Sequence, residues 1–181
     1  PIRGIRSYIG ANSGPLTQRT HLMYRESEVV ITDLRVHDIP AMLDLIDISA
    51  MGVLSLGDHE MAIGRGLSFV AEVDGRIAGF AIGDRHFDDV YLHELDVDPA
   101  FGKRGIGAAL VKQFVSGARA RGAKAVYLST FRTPPWNAPF YRKLGFVDVA
   151  RGDYLRWMSA IETEQAKFLD VSTRVFMRLG L

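Results

Sequence analysis

The sequence from Tyr91 to Ala120 reads YLHELDVDPAFGKRGIGAALVKQFVSGARA. Alternating residue character predicts a β-strand over Tyr91–Val97. One face of that strand carries Tyr91, His93, Leu95 and Val97, and the other carries Leu92, Glu94 and Asp96. Asp98-Pro99 ends the strand, because proline has no N–H to donate to a sheet. An apolar stripe then predicts a long amphipathic helix, with Ile106, Leu110, Phe114 and Val115 on its buried face.

A short, basic and glycine-rich connection joins this strand to the helix. It reads Gly102-Lys103-Arg104-Gly105-Ile106-Gly107. The first amides of a helix have no acceptors inside the helix, and the helix dipole adds positive potential there. Bare glycine backbone lets a ligand approach, and Lys103 and Arg104 add charge. The connection is therefore expected to hold an anion, most simply a phosphate or a pyrophosphate.

Two nucleotide-binding motifs do not fit this connection. A dinucleotide fingerprint requires a third glycine where Leu110 stands, and an acidic residue about 20 positions further on. The following strand, Ala125–Thr130, has no acid at its end. A Walker-type loop requires Ser or Thr after its lysine, and here Arg104 follows Lys103. A glycine-rich connection without a ligand is the remaining alternative.

A second informative stretch runs from Trp136 to Phe146 and reads WNAPFYRKLGF. Asn137 is predicted to cap a short helix that has Pro139 in its first turn and ends at Gly145. The two stretches together resemble the signatures of the GCN5-related N-acetyltransferase (GNAT) family. The first matches [Gln/Arg]-x-x-Gly-x-[Gly/Ala], and the second has Asn four residues before Tyr and then Gly-Phe. Gly102 departs from the family pattern, and Lys103 and Arg104 are candidates for supplying the missing charge.

This resemblance implies acetyl-CoA as a cosubstrate. In the family the cofactor lies where two parallel strands splay apart, and strand backbone pairs with the pantetheine arm. The implied strand positions in this chain are Leu95, Asp96 and Val97. The implied phosphate turn consists of Gly102, Lys103, Arg104, Gly105, Ile106, Gly107 and Ala108, and a further cofactor contact is implied for Asn137.

The resemblance also implies a general acid, because Tyr141 matches the position that donates to the departing sulfur. A phenol with a pKa near 10 stays neutral at pH 7. The base is open among His93, Glu94 and ordered water. His93 resembles a histidine of the arylalkylamine branch, and imidazole titrates near neutral pH. Glu94 is expected on the opposite strand face unless a bulge rotates it. Purely structural roles are the alternatives for Tyr141 and His93.

The composition limits the other classes of protein. A chain of 181 residues with 48% apolar and 24% charged residues is typical of one globular domain. A formal net charge of +1 gives nucleic-acid binding no support. The absence of cysteine excludes disulfides and thiolate chemistry. No HExxH, grouped metal ligands or GxSxG occur, so we expect no metal and no serine nucleophile.

The predicted fold is α/β (α+β), with a GNAT-like mixed and mostly antiparallel central sheet and helices on both faces. Its splayed parallel pair is Tyr91–Val97 with Lys124–Phe131, joined by a right-handed crossover. Residues 29–181 are expected to form one domain. Residues 1–28 are expected to be an N-terminal arm, either flexible, packed on the domain, or added before a natural start at Met23.

Several elements are predicted from local patterns. A first strand begins at Val29, and Asp38 caps a helix with Pro40 in its first turn. A second helix is expected within Asp58–Arg65. The clearest hairpin has the turn Asp74-Gly75 between Leu67–Val73 and Arg76–Gly83. The tail predicts a strand from Val147, a helix within Tyr154–Phe168 and a last strand near Thr173–Arg178, with Trp157 and Ile161 in the core or on a dimer surface.

The expected function is acetyl transfer to a primary amine of a small molecule or a peptide. A polar loop at Asp84–Asp89 could be solvated, or Asp88 or Asp89 could attract a cationic amine. No membrane span, no signal peptide and no nucleic-acid partner are expected, so a cytoplasmic protein is the default, and a homodimer is open. The alternative function is a non-catalytic acyl-CoA-binding sensor.

Overall fold

The computed structural model describes residues 20–24, 27–43 and 67–181. Its strands are β1 (Thr20–Tyr24), β2 (Ser27–Asp33), β3 (Leu67–Val73), β4 (Arg76–His86), β5 (Asp89–Val97), β6 (Ala125–Phe131), β7 (Val147–Asp148) and β8 (Arg174–Gly180). Its helices are α1 (Ile39–Leu43), α2 (Ile106–Ala120), α3 (Ala138–Lys143) and α4 (Arg156–Gln165). These strands form one sheet in the order β1-β2-β3-β4-β5-β6-β8-β7.

One parallel pair interrupts an otherwise antiparallel sheet. β5 and β6 run parallel, and the other neighbouring strands run antiparallel. The mixed sheet and its parallel pair were predicted from the sequence and are confirmed. Because α2 connects β5 to β6, the chain returns to the same end of the sheet before it enters β6.

Helices cover both faces of the sheet, as predicted. On one face, Leu110 and Phe114 of α2 are fully buried, and the Phe114 ring meets Phe69 of β3 edge-on at 6.4 Å. On the other face, Met42 of α1 packs with Phe80, and Met158 of α4 packs with Phe176. Trp157 and Ile161 of α4 also pack against this second face, so they belong to the core.

The β3–β4 hairpin has the predicted Asp-Gly turn. Asp74 and Gly75 have φ values of 50° and 74°, the left-handed region that a two-residue hairpin turn requires. The next hairpin differs from its prediction. Asp84–His86 extend β4 rather than form a loop, because they pair with Asp89–Tyr91 of β5, and the turn is only Phe87-Asp88.

Two further details near the N-terminus concern predicted elements. Asp38 was predicted to cap the helix that contains Pro40. It is instead the last residue of a short 3₁₀ turn before α1, and its carboxylate accepts a hydrogen bond from the Arg35 amide, at the start of that turn, at 2.8 Å. The helix expected within Asp58–Arg65 lies outside the described residues. In the tail, β7, α4 and β8 follow the predicted order. None of the helices in the described ranges is long and apolar enough to span a membrane.

A β-bulge in β5 changes which residues share a face. Leu92 pairs with Gly83 and Glu94 with Ile82, so His93 is the extra residue. Leu92, Leu95 and Val97 consequently pack on the α2 face. The predicted grouping of His93 with Leu95 and Val97 is therefore wrong.

Gly83→Ala should destabilise the fold, because Gly83 lies opposite the bulge. An added Cβ would overlap with the carbonyl oxygen of Tyr91 and with the ring of Phe114. We expect the free energy of unfolding to fall by about 1–3 kcal/mol, the usual cost of overpacking. Urea denaturation measures this change. Gly152→Ala is the matched control, because its Cβ would meet nothing within 4 Å. Equal stability of the two variants would contradict the tight approach of β4 to β5.

Candidate functional site

A cleft opens where β5 and β6 stop pairing. Their parallel register covers Val90–Leu92 and Val126–Leu128. Beyond it, Leu95–Val97 pair with β4, and Ser129–Phe131 pair with β8. The strands therefore splay, as predicted, and present two backbone edges to each other.

The cleft edge of β5 can offer backbone hydrogen bonds to a ligand. Amide directions alternate along a strand. Since the Asp98 amide bonds to Ala78 O at 3.0 Å in β4, the amides of Leu95 and Val97 point into the cleft. The Val97 amide donates to the carboxylate of Asp96 at 2.9 Å. The Asp96 side chain must rotate away before a ligand can use that amide.

The glycine-rich connection forms the start of α2. Lys103 and Gly105 have φ values of 60° and 80°, and the first helical bond runs from the Ala109 amide to Gly105 O at 3.0 Å. In the stretches that the structure covers, the amides from Lys103 to Ala108 have no protein acceptor. This unpaired series at a helix N-terminus suits an anion, as the sequence predicted.

Two guanidinium groups lie beside this turn. Arg104 lies over the ring of Phe101 at 5.2 Å, and Arg76 at the start of β4 lies over the same ring at 5.8 Å. Lys103 is exposed, and so is Gly102. Sequence reasoning missed Arg76, because only the hairpin brings it to a turn more than twenty residues later in the chain.

Gly107 is the point where the turn, β5 and α3 meet. A Cβ at this position would lie 3.6 Å from a methyl group of Val97 and 3.7 Å from the ring of Phe140. Both distances are ordinary van der Waals contacts. The first turn of α2, which also contains the buried Ile106 and the half-buried Ala108, therefore lies against the cleft edge of β5.

Asn137 occupies the predicted position before α3 but makes a different contact. Its side-chain oxygen accepts a hydrogen bond from Thr130 Oγ1 at 3.0 Å, and the side chain caps no helical amide. The prediction of a side-chain cap is therefore wrong. Because Thr130 lies in β6, this hydrogen bond ties the start of α3 to the second edge of the cleft.

Tyr141 is buried, with 8% of its surface exposed. Its ring packs edge-on against Phe140 at 5.0 Å and Phe146 at 5.7 Å. Burial raises the pKa of Tyr141, and the nearby Tyr91 and Asp96 raise that pKa further. The phenol therefore keeps its proton at neutral pH.

His93 belongs to a polar cluster on the α4 face. Its Nε2 lies 2.8 Å from Asp84 Oδ1, and Nε2 of His86 lies 3.0 Å from the same oxygen. Burial raises the pKa of Asp84, but the contacts with His86 and His93 outweigh that effect and hold the pKa well below its usual value. The Tyr91 ring meets His93 edge-on at 4.8 Å.

The bulge also affects Glu94. Since Leu95 and Val97 face α2, the alternating Glu94 and Asp96 point toward the face of His93. Glu94 is half-buried there. The bulge therefore brings Glu94 to the face of His93, which is the rotation that the sequence analysis left open for this residue.

Asp88 and Asp89 lie away from the cleft. Asp88 lies in the turn before β5, and Asp89 begins that strand, about 20 Å from Leu95 at 3.4 Å per residue. Asp88 pairs with Lys124 at 2.7 Å. The possibility that these carboxylates attract an amine to the site is not supported by this geometry.

A buried polar group behind the cleft was missed by sequence reasoning. Arg174 donates to Ser129 O at 2.8 Å and to Gln165 Oε1 at 3.1 Å. Its guanidinium lies 4.8 Å from the centre of the Phe131 ring. Burial raises the pKa of Tyr91 to about 12, against the opposing effects of Arg174 and of hydrogen bonds with Gln165 and Ser129.

Comparison with known proteins identifies the family. The model of the acetyltransferase (GNAT) family matches residues 45–146, which include both sequence signatures. The chain therefore belongs to the GNAT family, and the resemblance seen in the sequence is confirmed.

Two curated relatives and one solved structure are similar to the chain. An uncharacterized N-acetyltransferase of Methanocaldococcus jannaschii is 34% identical over 102 residues, 51% of this chain and 45% of the relative. The [ribosomal protein bS18]-alanine N-acetyltransferase of Escherichia coli is 29% identical over 82 residues, 45% of this chain and 55% of the relative. The chain thus spans about half the length of the curated relatives it matches.

The solved structure is N-acetylglutamate synthase from Neisseria gonorrhoeae, complexed with coenzyme A and N-acetyl-glutamate. It has a TM-score of 0.68 and 18% identity, and the match covers 84% of this chain and 35% of that one. This similarity supports the fold.

Proposed function

We propose that the chain transfers an acetyl group from acetyl-CoA to a primary amine by direct attack. One observation carries the proposal. An open strand edge and an unpaired series of helix N-terminal amides meet at Gly107, where a Cβ would touch Val97 and Phe140, and the buried Tyr141 packs against that Phe140 ring. The relatives named as N-acetyltransferases and the synthase complexed with coenzyme A support this activity and cosubstrate.

The pyrophosphate would bind the amides between Lys103 and Ala108, with Arg76 and Arg104 adding positive charge. The pantetheine arm would lie along Leu95–Val97 and pair with their inward amides. Its binding displaces the carboxylate of Asp96 from the Val97 amide. Asn137 would contact the cofactor with the part of its amide that Thr130 does not occupy.

In the transfer, the amine nitrogen forms a bond to the thioester carbon, and the carbon–sulfur bond then breaks. The nitrogen loses a proton to a base, for which His93, Glu94 and ordered water are the candidates. Tyr141 donates its hydrogen to the departing thiolate. Its burial suits this role, because the phenol carries that hydrogen throughout the neutral range.

The acceptor would approach from the α4 face, where His93 and Glu94 lie. A small molecule and a peptide N-terminus both present the required primary amine. The relative that acts on alanine of ribosomal protein bS18 favours including peptides among the candidates. Release of free thiol from acetyl-CoA in the presence of pooled small amines, or of pooled peptides, distinguishes the two classes.

Gly107→Val should severely weaken binding of coenzyme A while the protein stays folded. Its Cβ makes only ordinary contacts inside the protein, but its methyl groups would fill the space in front of the first helical amides. We expect at least a tenfold loss of affinity in calorimetric titration with coenzyme A. The control Gly152→Val, at a glycine with open space around it, should keep the affinity. Unchanged affinity in a folded Gly107→Val protein would remove the proposed phosphate site.

Tyr141→Phe should keep coenzyme A affinity, because only a hydroxyl group is lost. Its turnover should fall by roughly 10²–10⁴-fold, the usual contribution of a general acid. The thiol-release assay with a responsive amine pool measures this loss.

Tyr154→Phe is the matched control, because Tyr154 packs against Phe176 rather than in the α3 core. It should turn over at the rate of the unchanged protein. Full activity of Tyr141→Phe would exclude Tyr141 as the acid. Coenzyme A binding without turnover in any pool would favour the non-catalytic sensor.

His93→Gln should lower turnover and change its pH dependence. If His93 is the base, the rate of the unchanged protein falls at acidic pH, because the protonated imidazole cannot accept the amine proton. The variant should lose that acidic limb. His37→Gln, which removes an imidazole that is 71% exposed, should leave the profile unchanged. The same acidic limb in His93→Gln would assign the base to Glu94 or water.

A further inference from the structure

Three possible metal ligands converge on the α4 face, although no metal-binding motif is present in the sequence. One ring nitrogen of His86, one ring nitrogen of His93 and a carboxylate oxygen of Asp84 all lie within 4.8 Å of one another. The two imidazole nitrogens lie 3.0 Å and 2.8 Å from the same oxygen, Asp84 Oδ1.

These separations are close to those around a bound transition metal. Ligand atoms about 2.1 Å from an ion are about 3.0–4.2 Å apart, depending on the angle between them. Of the two nitrogen–oxygen distances, 3.0 Å lies at the lower limit of this span and 2.8 Å lies slightly below it. Since all three ligand atoms lie within 4.8 Å of one another, holding one ion would require only an adjustment of the side chains.

Hydrogen bonds to Asp84 do not satisfy both imidazole rings. His93 forms a hydrogen bond with Asp84. Nε2 of His86 lies 3.0 Å from the same oxygen, but in the described part of the chain its direction does not make this contact a well-aligned hydrogen bond. A buried ring nitrogen without a partner costs free energy. A cation beside Asp84 Oδ1 would use the lone pairs of both rings.

The surrounding structure fixes the positions of the ligands. The Trp157 ring stacks on His86 with centres 4.8 Å apart and planes inclined by 27°. The bulge turns His93 toward Asp84, and the Tyr91 ring meets His93 edge-on. The side chains of Asp84, His86 and His93 keep 14%, 24% and 25% exposure, which leaves a path for an ion.

We propose that Asp84, His86 and His93 bind a divalent transition-metal ion of the zinc class. Two imidazole nitrogens and one carboxylate oxygen suit such ions, whereas Mg²⁺ and Ca²⁺ prefer oxygen ligands. Three protein ligands leave at least one coordination position for water or another ligand.

Binding would also control the proposed transfer, and this consequence rests on the proposed function. Metal coordination at Nε2 of His93 leaves the ring hydrogen on Nδ1. Neither nitrogen then has a lone pair for the amine proton. Zinc should therefore inhibit turnover of the unchanged protein. It should inhibit His86→Gln much less, because that variant loses a metal ligand but keeps His93.

The test uses the full chain without an affinity tag, treated with EDTA and dialysed. Calorimetric titration with ZnCl₂ should show one ion bound per chain. Asp84→Asn, His86→Gln and His93→Gln should each weaken that binding at least tenfold, while MgCl₂ should give no comparable binding. His37→Gln is the control, because it removes an imidazole 3.3 Å from Asp38, outside the cluster.

Circular dichroism and thermal unfolding of each variant verify its fold without acetyl-CoA, so any one folded ligand variant suffices. Absence of saturable zinc binding would overturn the proposal, and so would binding that the folded ligand variants leave unchanged. The zinc titration requires neither acetyl-CoA nor an amine, so zinc binding without acetyl transfer would overturn only the proposed function. If bound zinc does not inhibit turnover, the proposed link between the metal site and His93 as the base is wrong.

Discussion

Hydrogen bonding between β5 and β6 ends after Leu92 and Leu128, and the cleft depends on that break. The bulge begins at the same point of β5, at His93. A bulged strand bends, because one strand supplies an extra residue between paired positions. We infer that this bend turns the end of β5 toward β4 and away from β6. Gly83 permits the approach, since its bare α-carbon faces the carbonyl oxygen of Tyr91.

The same bulge places apolar side chains on one face of the sheet and polar side chains on the other. Leu92, Leu95 and Val97 remain together in the core under α2. His93 and Glu94 occupy the other face, where Asp84 and His86 of β4 supply polar partners. Without the extra residue, strict alternation would place His93 and Leu95 on one face. The bulge thus provides polar groups beside the cleft without placing them in the apolar core.

The sequence predicted what depends on neighbouring residues and on connectivity. Asp74-Gly75 specified the turn of the β3–β4 hairpin. The glycines between Gly102 and Gly107 specified the connection after β5, and the apolar stripe that begins at Ile106 specified α2. The crossover through α2 specified the parallel pair. The sequence left a bulge in β5 open but did not locate it, because its position depends on Gly83 of the adjacent strand. For the same reason the polar cluster was missed. Residues 84, 86 and 93 have no motif spacing, and only antiparallel pairing of β4 with β5 brings them together.

The two faces also divide the parts of the proposed reaction. Tyr141 packs in the apolar core on the α2 side, whereas His93 and Glu94 lie on the α4 side. The cleft between β5 and β6 connects the two sides. An amine from the polar face could therefore attack a thioester held in the cleft, while sulfur departs toward the phenol. Under the proposed mechanism, the acid and the base would act on different atoms from opposite sides, and direct transfer would then need no covalent enzyme intermediate.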